Sequence, residues 1–376
     1  MPHAQPLLDH CPEGLPREAY VSPDWFAREM ATVFARGWIC AGRLADLPKG
    51  HMRRVRIGTA EVVLCRLADG QISAFLNACR HRGSDLCRGE EQPLGRLISC
   101  PYHAWAYDAR DGHLVSVAHA HPTDDFRRED HGLIPVQVTL WAGFIYLSAA
   151  RAPEPLQADV PLSTLDNWPT DRLVTGHRWT KELNCNWKVF WENYSECLHC
   201  PGIHPELCDL VPVYAQGVMA ENERQDWTPD QSQPMSLLKP GAQSWTLTGA
   251  WCGPAFPGLT EAERARGYTF VTIWPSVYVV AHADYVRSVR LEPLGPETCR
   301  LIAEWHFPPE TLAQVGFDAA KVAAFAKIVL AQDSDAAEMN QRGIRSLAFI
   351  KGRLMPEEYE IYRFHHWLLA QMESPT

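Results

Sequence analysis

"NACRHRGSDLC" (77–87) and "ISCPYHAW" (98–105) decide how the first third of this chain is read. The first sets Cys79 two residues before His81, and the second sets Cys100 three residues before His103. Both pairs fall in loops between short β-rich runs, where backbone N–H groups are free to point at a cofactor. On the N-terminal side those runs are "RRVRIG", "AEVVLCRL" and "ISAFLNA", with the turn "ADGQ" (68–71) before the last. Between and beyond the loops, "RLISC" and "PVQVTLWAGFIYLS" continue the pattern. The first third is therefore predicted to be mostly antiparallel β. It is preceded by a helix over "SPDWFAREMATVFARGW" (22–38), where Ser22 can cap, Pro23 suits the first turn and Phe26, Met30, Val33 and Phe34 repeat at helical spacing.

Two readings of the four ligand types compete. Two Cys and two His make a common zinc set, but zinc sites usually pair like with like, C-x₂₋₄-C with H-x₃₋₅-H. Each loop here carries one of each. That mixed pairing suits a [2Fe–2S] cluster of the Rieske type, in which two Cys hold one iron and two His the other. Neutral imidazoles in place of thiolates lessen the cluster's negative charge and raise its potential, which makes an intermediate electron carrier. Cys87 has no partner in this pattern and reads as a packed thiol. Tyr102, Trp105 and Tyr107 read as cover for the cluster, and Gly83 as the turn that brings N–H groups toward sulfur.

A second constellation lies in "WENYSECLHCPGIH" (191–204), which gathers Glu192, Glu196, Cys197, His199, Cys200 and His204. On a helix predicted over 186–199, Glu196 and His199 are three apart and share a face. Pro201 and Gly202 then end the helix, so His204 can return toward His199. Downstream, "LAQDSDAAEMNQRG" offers Asp333 and Asp335 on a long predicted helix (318–343). Two His and one carboxylate form the facial triad of non-haem Fe(II) oxygenases, which leaves positions open for O₂. Thiolate does not suit that centre, so Cys197 and Cys200 read as bystanders. Taken alone, the two histidines could equally be packed or exposed side chains without a ligand.

Composition narrows the classes. The 376 residues favour two domains, and a linker is read at the Ala- and Pro-rich "AARAPEPLQADVPLS" (149–163). The net charge of −10 argues against nucleic-acid binding. No apolar run approaches the ~20 residues of a membrane span, and the polar, proline-rich start does not read as a signal peptide. A cytoplasmic protein is expected, with its twelve Cys mostly reduced thiols or metal ligands. Neither an internal repeat nor a nucleotide-binding glycine motif is present. Past the linker the pattern is mixed: strand-like runs at 268–283, 286–294 and 299–307, then the 318–343 helix and another over 356–373.

Taken together, "CRHRG…CPYHAW", "NWKVFWENYSECLHCPGIHP" and "QDSDAAEMNQRGIRS" resemble the α subunits of Rieske non-haem iron oxygenases, from about residue 20 onward. The resemblance implies an α+β architecture. An N-terminal arm and helix (1–38) packs on the catalytic domain, followed by an antiparallel β Rieske domain (39–150) and a helix-grip, START-like catalytic domain (151–376). It implies that Cys79, His81, Cys100 and His103 bind the [2Fe–2S] cluster and that His199, His204 and Asp333 ligate a mononuclear Fe(II), with Asp335 the lesser choice. Asn193, one turn before Glu196, is expected near the iron. The family usually carries Asp three residues before its first iron-binding His; this chain has Glu196. That acid is expected to bridge the iron-binding His to a cluster-binding His of a neighbouring subunit, with electrons crossing between protomers of a head-to-tail homotrimer. NAD(P)H electrons would arrive through a separate flavin/iron–sulfur reductase. Glu at this place, with "HPELCDLVPVY" (204–214), resembles the branch acting on glycine betaine, choline, carnitine and stachydrine.

That branch implies an N-demethylase releasing formaldehyde. A trimethylammonium group forms no hydrogen bonds and is held by aromatic faces, at ~0.5–2 kcal/mol per ring. Candidate rings are Trp227, Trp245, Trp251, Phe256, Tyr268, Phe270, Trp274, Tyr278 and Tyr285, most of which must be core or surface. The alternatives are an aromatic-ring or heterocycle hydroxylase of the same family and, in another class, a Rieske electron carrier or a zinc-stapled binding protein.

Overall fold

The computed structural model describes residues 5–228 and 236–373; residues 1–4, where the polar start begins, lie outside them. Contacts divide the chain into two compact units, Glu29–Gln157 and Met1–Arg28 with Ala158–Thr376.

The first unit consists of antiparallel sheets built from the alternating runs read above. A four-stranded sheet has the order Ile72–Leu76, Ala60–Arg66, His51–Ile57, Glu91–Pro93. Its central hairpin closes with Ile57 opposite Ala60, and Gly58 turns it at φ 55°. Gly58 is required twice over, because a Cβ there would stand 2.2 Å from the carbonyl oxygen of Met30. Two three-stranded sheets, Leu97–Ser99 with Ala106–Asp108 and Leu114–Ser116, and Gln137–Trp141 with Phe144–Ser148 and Ile39–Arg43, complete the unit. Val63, Phe75, Ile98 and Tyr107 pack into one core with Cys79 and Cys100, so the thiol end of each loop is anchored inside.

The second unit holds a five-stranded antiparallel sheet in the order Val174–Leu183, Thr298–Phe307, Val286–Gly295, Val277–His282, Tyr268–Ile273. The run read as one strand over 268–283 is two, joined through Trp274 and Pro275, because proline cannot donate to a ladder. The helix Ala319–Ile344 packs against the edge strand Val174–Leu183 and the helix Trp187–Tyr194. Asp318 caps it by accepting from the Ala320 N–H at 3.0 Å. Its buried stripe of Val322, Phe325, Val329, Ser334, Ala337, Gln341 and Ile344 repeats every three to five residues.

The helix predicted over 186–199 stops at Tyr194. At its end the Ser195 hydroxyl and N–H both donate to the Trp191 carbonyl, at 2.7 and 3.1 Å. A turn follows, then one-turn helices at Cys200–Ile203 and Pro205–Leu210, with Pro205 supplying the preset φ for the second. The N-terminal helix is also shorter than its reading: regular α over Pro23–Glu29, then wider turns over Met30–Phe34.

Candidate functional site

In the first unit the two loops bring the four predicted cluster ligands to one end of the small sheets. Cys79 and Cys100 are buried at 3 % exposure each, whereas His81 is exposed and His103 half-buried. The imidazoles meet edge to face, 4.7 Å apart, and Trp105 stacks on His81 at 4.6 Å. Gly83 lets the first loop close through its N–H to the Cys79 carbonyl, 2.9 Å, at φ 76°. Burial alone would raise the Cys100 thiol. The backbone N–H groups of Tyr102 and His103 overturn that, and its pKa is lowered. Cys79 is raised by burial, against the Tyr107 hydroxyl 3.2 Å from its Sγ. Two adjacent thiols inside, with N–H and O–H donors aimed at sulfur, and two imidazoles outside suit an asymmetric cluster better than a zinc ion. Cys87 is buried apart from them, its Sγ 3.4 Å from the Gly89 carbonyl.

In the second unit, three groups far apart in sequence converge. His199 Nε2 lies 3.2 Å from His204 Nε2 and 3.6 Å from Asp333 Oδ1, and His204 Nε2 is 2.9 Å from that same oxygen. Donors in adjacent positions around an ion with bonds of about 2.1 Å stand about 3.0 Å apart, so the spacing fits one metal. Each imidazole has its other nitrogen committed. His199 Nδ1 faces Glu196 Oε1 at 2.6 Å and His204 Nδ1 faces Gln332 Oε1 at 2.8 Å. These contacts select the tautomer that leaves both Nε2 lone pairs pointing inward. Glu206 holds Gln332 in turn, at 2.9 Å.

The electrostatics point the same way. Burial disfavours a charged His199, yet Asp333 and Glu196 outweigh it and raise its pKa to about 9. His204 is raised for the same reason, against its burial and through Asp333. Asp333, although buried, is lowered by the two histidines. Two carboxylates thus draw positive charge to this point, which is what a cation site requires.

Asp335 points away to Lys181, 3.3 Å distant. Asn193 lies beside His199, its Nδ2 3.2 Å from Nε2, and its buried Oδ1 has no partner among the described residues. Glu196 does not share a helix face with His199; it reaches back through the turn, held by the Leu198 N–H. Cys197 and Cys200 depart from the reading of reduced thiols, since they form a disulfide across the loop that carries His199. Cys200 Sγ is 3.8 Å from His199 Nε2, but a disulfide sulfur is no thiolate donor. Of the other free thiols in this unit, Cys185 and Cys299 are buried, whereas Cys208 and Cys252 are half-buried.

A cavity of ≈ 60 Å³ opens on the three converging side chains. Of the nine candidate rings, Trp245, Phe270 and Tyr278 line it. Sequence reasoning missed Tyr194, stacked on Tyr278 at 3.8 Å, together with Tyr214 and Arg287. Glu196 also borders a second, wider cavity beside Glu192 and His365.

Comparison with known proteins agrees with this arrangement. Residues 37–127 match the family described as Rieske [2Fe-2S] domain, and residues 170–374 match Ring hydroxylating alpha subunit (catalytic domain). The glycine betaine monooxygenase oxygenase subunit of Chromohalobacter salexigens is 30 % identical over 96 % of this chain and 86 % of its own length. The carnitine monooxygenase oxygenase subunit of Acinetobacter baumannii is 27 % identical over 95 % and 94 %. A solved quaternary ammonium Rieske monooxygenase, described for carnitine oxidation and inter-subunit electron transfer, superimposes with TM-score 0.70 at 21 % identity, covering 97 % of this chain and 96 % of its own.

Proposed function

This chain belongs to the ring-hydroxylating α-subunit family with a Rieske [2Fe–2S] domain, and on that premise we propose that it N-demethylates a small quaternary ammonium compound. It is an oxygenase component that works with an electron-supplying reductase. The observation that carries the reading is the aromatic-walled cavity opening on His199, His204 and Asp333. Rings of this kind hold a cation that cannot hydrogen-bond, and relatives similar over nearly the whole chain are named for betaine and carnitine.

In this reading Cys79, Cys100, His81 and His103 hold the cluster, and His199, His204 and Asp333 hold Fe(II). When bound, the cluster supplies electrons singly and the iron supplies O₂ activation. The chain's residues do the rest. Tyr194, Tyr278, Phe270 and Trp245 seat the ammonium group so that one N-methyl faces the triad. The apolar wall of Leu207, Val329 and Leu330 keeps water from that face. Asn193 flanks His199 on the cavity side. Glu196 accepts a hydrogen bond from the Nδ1–H of His199 and also faces the second cavity. A hydroxylated N-methyl then collapses to the tertiary amine and formaldehyde, its hydroxyl proton passing to water.

The exposed imidazole edge suits electron hand-over to a neighbouring protomer through Glu196, in a head-to-tail homotrimer. A flavin/iron–sulfur reductase is the proposed donor and the cytoplasm the proposed location; among the described residues no helix is long and apolar enough to cross a membrane. The test is turnover with a surrogate reductase and NADH across glycine betaine, stachydrine, carnitine, choline and an aromatic acid. Formaldehyde from a quaternary ammonium compound is expected; a hydroxylated aromatic product without formaldehyde would replace this reading with ring hydroxylation.

A further inference from the structure

Arg287 is the unusual wall of the cavity. It sits on the strand Val286–Gly295, in register with Trp305 and Val280, at 3 % exposure. Its guanidinium lies 5.5 Å from the ring of Trp245. Neither Nε nor Nη1 has a hydrogen-bond partner among the described residues. A guanidinium is always charged and offers a planar fork of donors, so two of them buried without acceptors are costly. The carboxylates that line the cavity with Arg287 are already engaged, Asp333 with His204 at 2.9 Å and Glu196 with His199 at 2.6 Å.

Two more groups beside it share the deficit. Trp245 Nε1 is buried without a partner among the described residues, and so are both ring nitrogens of His282, whose ring lies 5.5 Å from that of Trp245. Unpaired polar atoms are therefore gathered around Trp245, and of these residues Arg287 and Trp245 line the cavity. A carboxylate on the Nε/Nη2 edge or on the Nη1/Nη2 end of the Arg287 fork would give one of its two unpaired donors an acceptor.

We propose that Arg287, with the indole N–H of Trp245, forms a carboxylate-binding subsite, so that the substrate is a quaternary ammonium compound bearing its own carboxylate. The inference rests on the proposed function and narrows it. A zwitterion places its ammonium against the rings and its carboxylate on the fork. A cation without the carboxylate, such as choline, leaves the donors unpaired and brings a second positive charge toward Arg287. Charge, rather than the size of the ammonium group, then selects the substrate.

The test compares glycine betaine with its methyl ester, which keeps the ammonium and removes the anion, in the iron-replete wild type, Arg287→Gln and Arg287→Lys. Formaldehyde gives kcat/KM, while iron content and the cluster spectrum report the fold of each variant. The wild type is expected to prefer the acid by about hundredfold or more. Arg287→Gln should reduce that preference to within about tenfold, mainly by raising KM for the acid, and Arg287→Lys should retain part of it. Undiminished preference in Arg287→Gln would overturn the subsite. If no variant releases formaldehyde from either compound, the N-demethylation reading fails. Benzoate and methyl benzoate then carry the comparison: loss of acid preference in Arg287→Gln supports the carboxylate fork, and its retention overturns it.

Discussion

His199 and His204 can present two Nε2 atoms to one carboxylate only because each Nδ1 is held elsewhere, by Glu196 and Gln332. The consequence is a proton where a metal would sit. His199 titrates at about 9, above its ordinary 6.5, so without metal its charged form stabilises the fold fully below 6.5, and that contribution is lost as pH rises through 9. Asp333 is shifted the other way, and its contribution is present above 3.8 and lost in stronger acid. Iron must displace the His199 proton, so Fe(II) affinity should rise from pH 6.5 to 9 while the thermal stability of the iron-free protein falls. Titration with Fe(II), and melting of the iron-free protein at the same pH values, check both trends; Asp333→Asn should flatten them.

Residue types with strong chemical identity were legible at this scale. The Cys-His pairs, His199, His204 and Asp333 stand out because few other roles put them at such spacing. Gln332 and Arg287 were not legible, since nothing local marks them. Gln332 meets His204 across 128 residues, and Arg287 matters only because strand pairing turns it, uncompensated, into the cavity. The disulfide was missed because cysteines beside a metal motif were weighed as ligands or idle thiols, not against each other.

At the scale of elements, strand alternation and the buried stripe of the 319–344 helix were readable because they recur over many residues. The stop at Tyr194 was not, because the helical spacing of apolar residues runs on past it. That stop matters: a helix continued through His199 would leave no turn in which Glu196 could fold back. The 319–344 helix contributes both Asp333 and Gln332, so consecutive residues serve a proposed ligand and the orientation of another. Gln332→Leu should preserve the helix and the cluster spectrum but lower iron affinity about 10–100-fold, read as iron retained after dialysis against a chelator. Unchanged retention would mean that His204 is oriented by packing alone.

For the whole molecule, the chain divides into an electron-carrying unit and an oxidising unit, and the proposal sends electrons between protomers. Co-expressing a cluster-deficient Cys100→Ser chain with an iron-deficient His199→Ala chain separates the possibilities. Each variant alone should be inactive, and mixed oligomers should regain a fraction of wild-type activity. Mixed oligomers with no activity would confine transfer to one chain. Contacts divide the chain at 157/158, inside the stretch 149–163 where β-rich patterning gives way to mixed.

The central claim is that one polypeptide carries both the electron store and the place where an N-methyl group is oxidised. Single-turnover chemistry tests it most directly: chemically reduced, iron-replete protein is mixed with O₂ and glycine betaine, with no reductase present. The account expects formaldehyde and the dimethylated amine in equal amounts, in proportion to the cluster oxidised. Cluster oxidation without formaldehyde from any carboxylate-bearing quaternary ammonium compound, together with hydroxylation of an aromatic acid, would contradict it.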